Sequence, residues 1–387
     1  MKYLVNVDWV ELYCEFDSLL FRNEFATPHA TDLHGFGVVL REYGTRVYAN
    51  VANITYHGEP FAVITYNPLS SLDRGGIMSP LMCHIKLENE WCYKEDWWDI
   101  MKHALRVFRI NPKRLSRADL CCDVQWFECG MYAADLCMGL IRRKYYKIHQ
   151  PNWSAHGQDA RKITWNSLSF GSASSQVFTR FYNKSLELKQ KKDKQYIREC
   201  WKIAGLKEDK DVWRIEFALK DSGLSLIEDK GTELDSATGE LQCRDVQHDI
   251  TPDILADRSK LEEWFLRYAQ HYFDIRKNTG AARYDCPPLR LLPTTPQLFR
   301  PIQRPHLGTM TRTDRMVINR LLDTMIKSPN RHERWEILKA IQLYQSSRRI
   351  EMLSDKDILN WRAWMYMDVS DDDRLVERDN MLFAQSV

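Results

Sequence analysis

Three short segments of the sequence share one pattern, in which an arginine stands two residues ahead of a side chain that can contact phosphate or a metal ion. They are Arg117-Ala-Asp119, Arg180-Phe-Tyr182 and Arg214-Ile-Glu216. Strand side chains alternate between two faces, so each pair points the same way, roughly 6–7 Å apart. If the three strands are neighbours about 4.8 Å apart, their polar side chains converge. The pattern therefore predicts a sheet built around these strands.

The remaining hydrophobic pattern predicts the elements around that sheet. Residues 3–14 alternate as in a half-buried strand, whereas residues 95–108 carry apolar side chains at helical spacing. Further strands are predicted over 115–127, 163–170, 176–182 and 212–219, and helices over 131–148, 184–203 and 252–277. Residues 149–161 are predicted to be a loop, and residues 220–250 to be irregular. This mixture favours the α+β class, with a curved, mainly antiparallel sheet and flanking helices.

We expect three regions along the chain. Residues 1–250 form the α+β domain that carries the three motifs, and residues 251–310 form a helix and a proline-rich arm, because the prolines between 287 and 305 exclude a helix. Residues 311–387 form a small helical C-terminal region, with helices over 311–326, 331–346 and 354–367. Tight turns between short helices fit either a helix-turn-helix or a plain small bundle.

Composition excludes several classes of protein. The 12% aromatic content excludes disorder over most of the chain. No apolar run reaches the roughly 18 residues of a membrane span, and the alternating N-terminus predicts a strand, not a signal peptide. Ten cysteines without a C-x-x-C favour a reduced cytoplasmic protein over a disulfide framework or zinc module. No phosphate-binding loop for ATP is present.

Tyr182 is the candidate nucleophile of the central motif. A tyrosine on a strand is most often a packed aromatic residue with a satisfied hydroxyl. Here Arg180 and Lys184 are cations that would stabilise a phenolate and hold a phosphate, and tyrosine is a feasible covalent nucleophile when so activated. Arg214 is a third candidate to neutralise charge on a phosphate.

The carboxylates of the outer motifs are candidate ligands for Mg²⁺ or Mn²⁺, which prefer oxygen. The alternative for each motif is an ion pair on the strand face. Asp119 and Asp123 lie four residues apart, roughly 13 Å on an extended strand, so they cannot share one ion unless the strand is bulged. We therefore prefer Asp119 and Glu216 as ligands and interpret Asp123 as a supporting or structural residue. Glu187 either orients Lys184 or is a further ligand.

Basic residues are clustered locally, although the net charge is only +2. Residues 101–118, the helix after Tyr182 and residues 290–320 each carry several lysines or arginines. Each run alone is more often a solvated face, but together with interleaved aromatic residues they suit a channel that grips phosphates and stacks bases. The residues predicted to contact nucleic acid are Asn183, Glu187, Arg117, Lys191 and Lys192.

These blocks resemble the Rep_trans family of plasmid and phage rolling-circle replication initiators. The similarity lies in Arg117-x-Asp119-x-x-x-Asp123, then Arg180-x-Tyr182-Asn183-Lys184 with Glu187 shortly after, then Arg214-x-Glu216. Order, spacing and strand context agree over about residues 105–220, and the start at Asn6-Val7-Asp8-Trp9 fits more weakly. The C-terminal third departs from the family pattern, which leaves the element that would recognise an origin undefined.

The resemblance implies a metal-dependent enzyme that nicks and rejoins DNA at an origin hairpin. Tyr182 would join the 5′ phosphate of the nicked single strand and free a 3′-OH primer. A homodimer and a host helicase as partner are further implications of the resemblance. The alternative is a non-catalytic, sequence-specific DNA-binding protein for replication or copy control on the same fold. A tyrosine recombinase or a relaxase fits less well, because no histidine cluster is present.

Overall fold

A computed structural model describes most of the chain. The described residues are 2–25, 33–72, 76, 78–158, 164–190, 194–207, 209–234, 241–295, 299–301, 311–328, 330–348, 350, 352–353, 358 and 361. They divide into two compact units, one of residues 1–43, 50–66 and 83–302 and one of residues 44–49, 67–82 and 303–387. The division predicted at residues 250 and 310 stays a prediction.

The strands of the described residues follow one another along most of the chain. They are β1 (Tyr3–Phe16), β2 (Phe36–Leu40), β3 (Tyr48–Tyr56), β4 (Glu59–Pro68), β5 (Met82–Leu87), β6 (Ile110–Val124), β7 (Tyr145–Lys147), β8 (Trp153–Gln158), β9 (Thr164–Phe170), β10 (Val177–Asn183), β11 (Trp213–Lys220), β12 (Ser225–Leu234), β13 (Leu241–Asp249), β14 (Ile275–Lys277) and β15 (Phe299–Pro301).

The helices are interspersed among these strands. They are α1 (Leu19–Phe25), α2 (Trp97–Val107), α3 (Ala133–Ile141), α4 (Lys184–Gln190), α5 (Gln195–Ile203), α6 (Pro252–Ala256), α7 (Arg258–Tyr272), α8 (Arg312–Lys327) and α9 (Arg331–Arg348). Among the described residues, no helix is both long and apolar enough to cross a membrane.

The main sheet has ten strands within the described part of the chain, in the order β2-β3-β4-β5-β1-β6-β11-β10-β9-β8. The pairs from β1 through β6, β11 and β10 to β9 and β8 are antiparallel, as are β2 with β3 and β4 with β5. Smaller sheets join β13-β12-β15 and β14-β7. This confirms the predicted α+β class with a mainly antiparallel sheet.

The three motif strands are direct neighbours at the centre of this sheet. Strand β11 lies between β6 and β10, so the segment that comes last in the sequence is the middle strand in space. In register, Arg180 stands opposite Glu216 and Tyr182 stands opposite Arg214. Paired residues share a face, which brings the polar side chains of the three motifs to one side of the sheet.

The other side of β11 is apolar and packs against α7. Phe217 lies 5.2 Å, between ring centroids, from Phe265, and the hydroxyl of Tyr268 donates to the carbonyl of Gly223 at 2.7 Å. Phe217, Phe265 and Tyr268 are fully buried. The strand period of two therefore places a hydrophobic core on one side of the sheet and charged residues on the other.

Several predicted boundaries are wrong. The helix expected over 131–148 ends at Ile141, because Arg143 adopts a left-handed conformation with φ 55° and residues 145–147 pair with β14. The helix expected over 252–277 is divided into α6 and α7, and residues 275–277 are a strand. Residues 153–158 form β8 instead of a loop, and the segment 220–250 contains the hairpin β12–β13.

The second unit has a helical core of its own. Its buried side chains are Ile318, Met325, Leu338, Ile341, Ile350, Leu353, Ile358 and Trp361. Helices α8 and α9 end within two residues of the predicted bounds. The third predicted helix, over 354–367, falls on residues of which only Ile358 and Trp361 are described.

Candidate active site

Tyr182 is the second-last residue of β10, which ends at Asn183, and α4 begins at Lys184. Its hydroxyl donates a hydrogen bond to Oε2 of Glu216 at 2.8 Å. The side chain is 9% exposed. Burial, followed by the negative charge of Glu216, raises the pKa of Tyr182 well above its usual value, against the opposing charge of Arg214. The phenol is therefore protonated at neutral pH, and its proton already points at a carboxylate.

The two oxygens of Glu216 have different neighbours. Oε2 accepts from Tyr182, whereas Oε1 pairs with the guanidinium of Arg180 on the adjacent strand. Glu216 is 1% exposed, but the Arg180 side chain is 38% exposed. Arg180 thus covers the carboxylate from the solvent side and is the more accessible partner of the pair. Its guanidinium carbon also lies 5.5 Å from the centroid of the Tyr182 ring.

A second covered carboxylate stands beside Glu216. Asp119 accepts two hydrogen bonds from Arg117, from Nε at 2.8 Å and from Nη2 at 2.7 Å. Burial raises the pKa of Asp119 to about 6, with the charge of Glu216 adding to the rise and the bonds from Arg117 opposing it. The two motif carboxylates are therefore close enough to repel one another.

Lys184 approaches the phenol from the helix side of the junction. Its Nζ lies 3.4 Å from the Tyr182 hydroxyl, 2.6 Å from Oε2 of Glu187 and 4.0 Å from Oδ2 of Asp8. The side chain is 4% exposed. Because Lys184 is the first residue of α4, the helix direction aims it back over the end of β10. Glu187 lies one turn along and contacts Lys184, as one of its predicted roles requires.

Arg214 and Asp123 form a buried pair instead of a surface contact. Arg214 donates from Nε to Oδ1 of Asp123 at 2.6 Å and from Nη2 to Oδ2 at 2.7 Å. The indole of Trp201 donates to Asp123 at 2.7 Å. Arg214 is 0% and Asp123 1% exposed. These contacts are those of a structural pair, which is the role expected of Asp123, whereas the contact of Arg214 with a DNA phosphate stays a prediction.

Asp8 belongs to this cluster, although the motif analysis did not assign it a role. Its Oδ1 lies 3.1 Å from Nη1 of Arg214 and accepts from the hydroxyl of Tyr93 at 2.7 Å. The pairing of β1 with β6 shifts register between Val7 and Trp9, so Asp8 is the extra residue of a β-bulge. Burial alone would raise the pKa of Asp8, but Arg214 and Lys184 outweigh it and hold the pKa at about 2.

Of the five residues predicted to contact nucleic acid, Glu187 contacts Lys184, and the other four fall into three groups. Arg117 is 25% exposed at its side chain and lies at the site. Asn183 is used locally, because its Oδ1 accepts from the amide of Leu186 at 2.9 Å and its Nδ2 donates to Asp211 at 2.8 Å. It therefore caps the first turn of α4. Lys191 and Lys192 lie outside the described residues.

A hard divalent cation requires oxygen donors that lie close together. Within the described ranges, no three His, Cys, Asp or Glu side chains are grouped so as to hold a metal ion. The site instead offers two adjacent buried carboxylates, Asp119 and Glu216, each covered by an arginine. Mg²⁺ commonly binds through one or two carboxylates together with water and substrate phosphates. Burial and, to a smaller extent, the charge of Glu216 raise the pKa of Asp119, and a bound cation would favour its charged form. These two residues fit Mg²⁺ or Mn²⁺.

Comparisons with known proteins find similarity among solved structures alone. No protein-family model matches the sequence. No curated protein matches it either. Among solved structures, the chain is similar to the rolling circle replication initiator protein from Geobacillus stearothermophilus, at 14% sequence identity and a TM-score of 0.41. The likeness covers 74% of this chain and 93% of that chain. An activity for this chain can therefore be inferred only from the residues of its own site.

Proposed function

We propose that the chain is a metal-dependent DNA nicking and joining enzyme of the rolling-circle initiator type, with Tyr182 as its nucleophile. The observation that carries the proposal is the hydrogen bond of 2.8 Å from the Tyr182 hydroxyl to Glu216. A buried phenol needs a base to become a nucleophile, and here a carboxylate accepts its proton within hydrogen-bond reach. The resemblance of the three motifs to the initiator family supports the same assignment.

The reaction is a transesterification, in which a phosphotyrosine ester bond replaces the phosphate ester bond that is broken. Glu216 takes the proton of the Tyr182 hydroxyl, and the phenolate oxygen forms a bond to phosphorus. The bond from phosphorus to the 3′ oxygen breaks, and that oxygen takes a proton from water to leave as a 3′-OH. Lys184, 3.4 Å from the hydroxyl, stabilises the phenolate. Rejoining is the reverse, with a 3′-OH attacking the phosphotyrosine link.

The arginines that cover the carboxylates give the site a way to accept a phosphate. Arg180 and Arg117 are the exposed members of their pairs, with side chains 38% and 25% exposed. A phosphate offers each guanidinium a second bidentate partner. Movement of Arg180 toward the phosphate would uncover Oε1 of Glu216 and open a path to Tyr182. Asp119 and Glu216 would then hold Mg²⁺ or Mn²⁺, which supplies positive charge to the phosphate.

The test uses supercoiled DNA of the genetic element that encodes the chain, incubated with protein and Mg²⁺. The wild-type protein is expected to nick it and to leave a covalent protein–DNA adduct on a denaturing gel. Tyr182→Phe removes the attacking oxygen and is expected to abolish both nick and adduct while binding DNA as before. EDTA is expected to stop nicking by the wild-type protein.

Tyr43→Phe is the matched control, because Tyr43 is 76% exposed and outside the site. It should nick like the wild type. An adduct formed by Tyr182→Phe would refute the assignment of the nucleophile. Specific DNA binding by the wild type without any nick or adduct would favour the alternative, a non-catalytic replication or copy-control protein.

A further inference from the structure

A cleft of about 810 Å³ opens beside the candidate site, within the volume range typical of small-ligand sites. Trp9 forms part of its wall and stands opposite Asp119 in the register of β1 with β6. The two side chains therefore share a face of the sheet. The guanidinium of Arg117, which holds Asp119, lies 4.5 Å from the centroid of the Trp9 ring. Trp9 thus connects the cleft to the Arg117–Asp119 pair of the candidate site.

Aromatic rings line the cleft, Lys194 is part of its wall, and two further lysines lie over the rings. Besides Trp9, its wall includes Trp91 and Tyr196. The ammonium of Lys86 lies 3.7 Å from the Trp9 ring centroid, and that of Lys94 lies 3.6 Å from the Trp91 centroid. Grooves that hold single-stranded nucleic acid combine these two elements, because bases stack on aromatic rings and phosphates contact cations.

Acceptors that a phosphate would avoid and a base would use make up much of the remaining wall, which also carries Glu59, Lys194 and Gln195. Glu88, Asn89 and Glu90 line the cleft in the turn after β5. A carboxylate repels a phosphate, but it accepts hydrogen bonds from the amino groups on the edges of cytosine, adenine and guanine. Thymine has no amino group. The carboxylates of the wall therefore favour the edge of an amino-bearing base over a backbone phosphate.

We propose that this cleft binds an unpaired, amino-bearing nucleobase of the DNA strand that passes Tyr182. The base would lie beside Tyr196 with its edge toward Glu88 and Glu90, and its phosphates would remain with the cations outside. Tyr93 joins the cleft to the site, since its ring lies 5.0 Å from that of Tyr196 and its hydroxyl contacts Asp8. The passage of the strand past Tyr182 rests on the proposed function, whereas base binding by the cleft can be measured without it.

The experiment measures fluorescence anisotropy of short oligodeoxycytidine and oligothymidine strands labelled with fluorescein. EDTA is present, so that no strand is cleaved. The wild type is expected to bind oligodeoxycytidine at least about 5-fold more tightly than oligothymidine. Tyr196→Ala removes a stacking ring and is expected to weaken binding of oligodeoxycytidine by about 5- to 100-fold. Tyr196→Phe keeps the ring and should retain most of the affinity. The double variant with Glu88→Ala and Glu90→Ala should bind oligodeoxycytidine and oligothymidine with nearly equal affinity.

Tyr43→Ala is the control for loss of an exposed aromatic residue elsewhere and should bind like the wild type. Equal binding of the two oligonucleotides by the wild type, or full affinity in Tyr196→Ala, would overturn the inference. A preference that persists without Glu88 and Glu90 would also overturn it. If the wild type shows the preference but never nicks DNA, the proposed function fails and the base site stands.

Discussion

Replacing Arg214 separates a structural role from a contact with DNA. Arg214 donates twice to Asp123, lies 3.1 Å from an oxygen of Asp8, and donates to the hydroxyl of Tyr93 at 3.0 Å. Arg214→Met keeps much of the volume but removes the cation that pairs with the buried Asp123 and with Asp8. Breaking a buried ion pair in this way costs about 3–5 kcal/mol. Since whole domains are stable by only about 5–15 kcal/mol, the loss is a large fraction.

The assay is urea unfolding followed by tryptophan fluorescence, together with thermal unfolding. A loss of about 3–5 kcal/mol corresponds to a fall in Tm of roughly 6–20 °C. Adding Asp123→Asn to Arg214→Met removes one of the orphaned charges and should recover part of the loss. Arg41→Met is the control, because Arg41 is exposed and donates to an exposed amide of Asn53. It should change stability by less than about 0.5 kcal/mol.

The pH dependence provides a second measure of the same network. The pKa of Asp8 is about 2 in the folded protein and 3.8 in an ordinary aspartate. A depressed carboxyl pKa stabilises the fold above pH 4, and that stability is lost as the pH falls toward 2, by about 2 kcal/mol in total. Arg214→Met should flatten this dependence. Wild-type stability in Arg214→Met, with loss of DNA affinity alone, would refute the interior role and restore the predicted phosphate contact.

Two further predictions concern stability elsewhere in the chain. Burial lowers the pKa of Lys147 from 10.5 to about 7, so the buried lysine destabilises the folded state at any pH below 10.5. Lys147→Met should therefore stabilise the fold by about 2–4 kcal/mol at pH 6 and by much less near pH 10.5. Chemical unfolding at both pH values checks this, with exposed Lys277→Met as control, and an equal gain at both would contradict it. Thr311 caps α8 by accepting from the amide of Asp314 at 3.2 Å, so Thr311→Ala should cost about 1 kcal/mol of unfolding free energy, measured by thermal unfolding. Thr311→Ser should keep most of that energy, and no difference between the two variants would count against the cap.

The closeness of the motif side chains could be predicted from sequence, because strand geometry is nearly fixed. A period of two places Arg180 with Tyr182 and Arg214 with Glu216 on shared faces, and interstrand spacing then limits how far apart they can lie. The hydrogen bond of Tyr182 with Glu216 follows once β10 and β11 are paired. Nothing in the sequence specifies that β11 is the middle strand.

The partners of the charged residues could not be predicted, because they depend on which strands are adjacent. Periodicity places Arg214 and Glu216 on one face, but Arg214 pairs with Asp123 on β6 and Glu216 pairs with Arg180 on β10. Asp8 is brought to the site by a bulge, which shifts the strand period by one residue without a composition signal. The nearest hint was the weak match of the segment that contains Asp8 to the family pattern.

The closed network around Arg214 has a consequence for how such a chain can diverge. Asp8, Asp123 and Arg214 come from three different strands, and the guanidinium of Arg214 pairs with both carboxylates. A substitution that removes one of these charges alone gives a destabilised protein, whereas joint replacement of all three by apolar residues need not. We therefore expect these three positions to vary together among related chains.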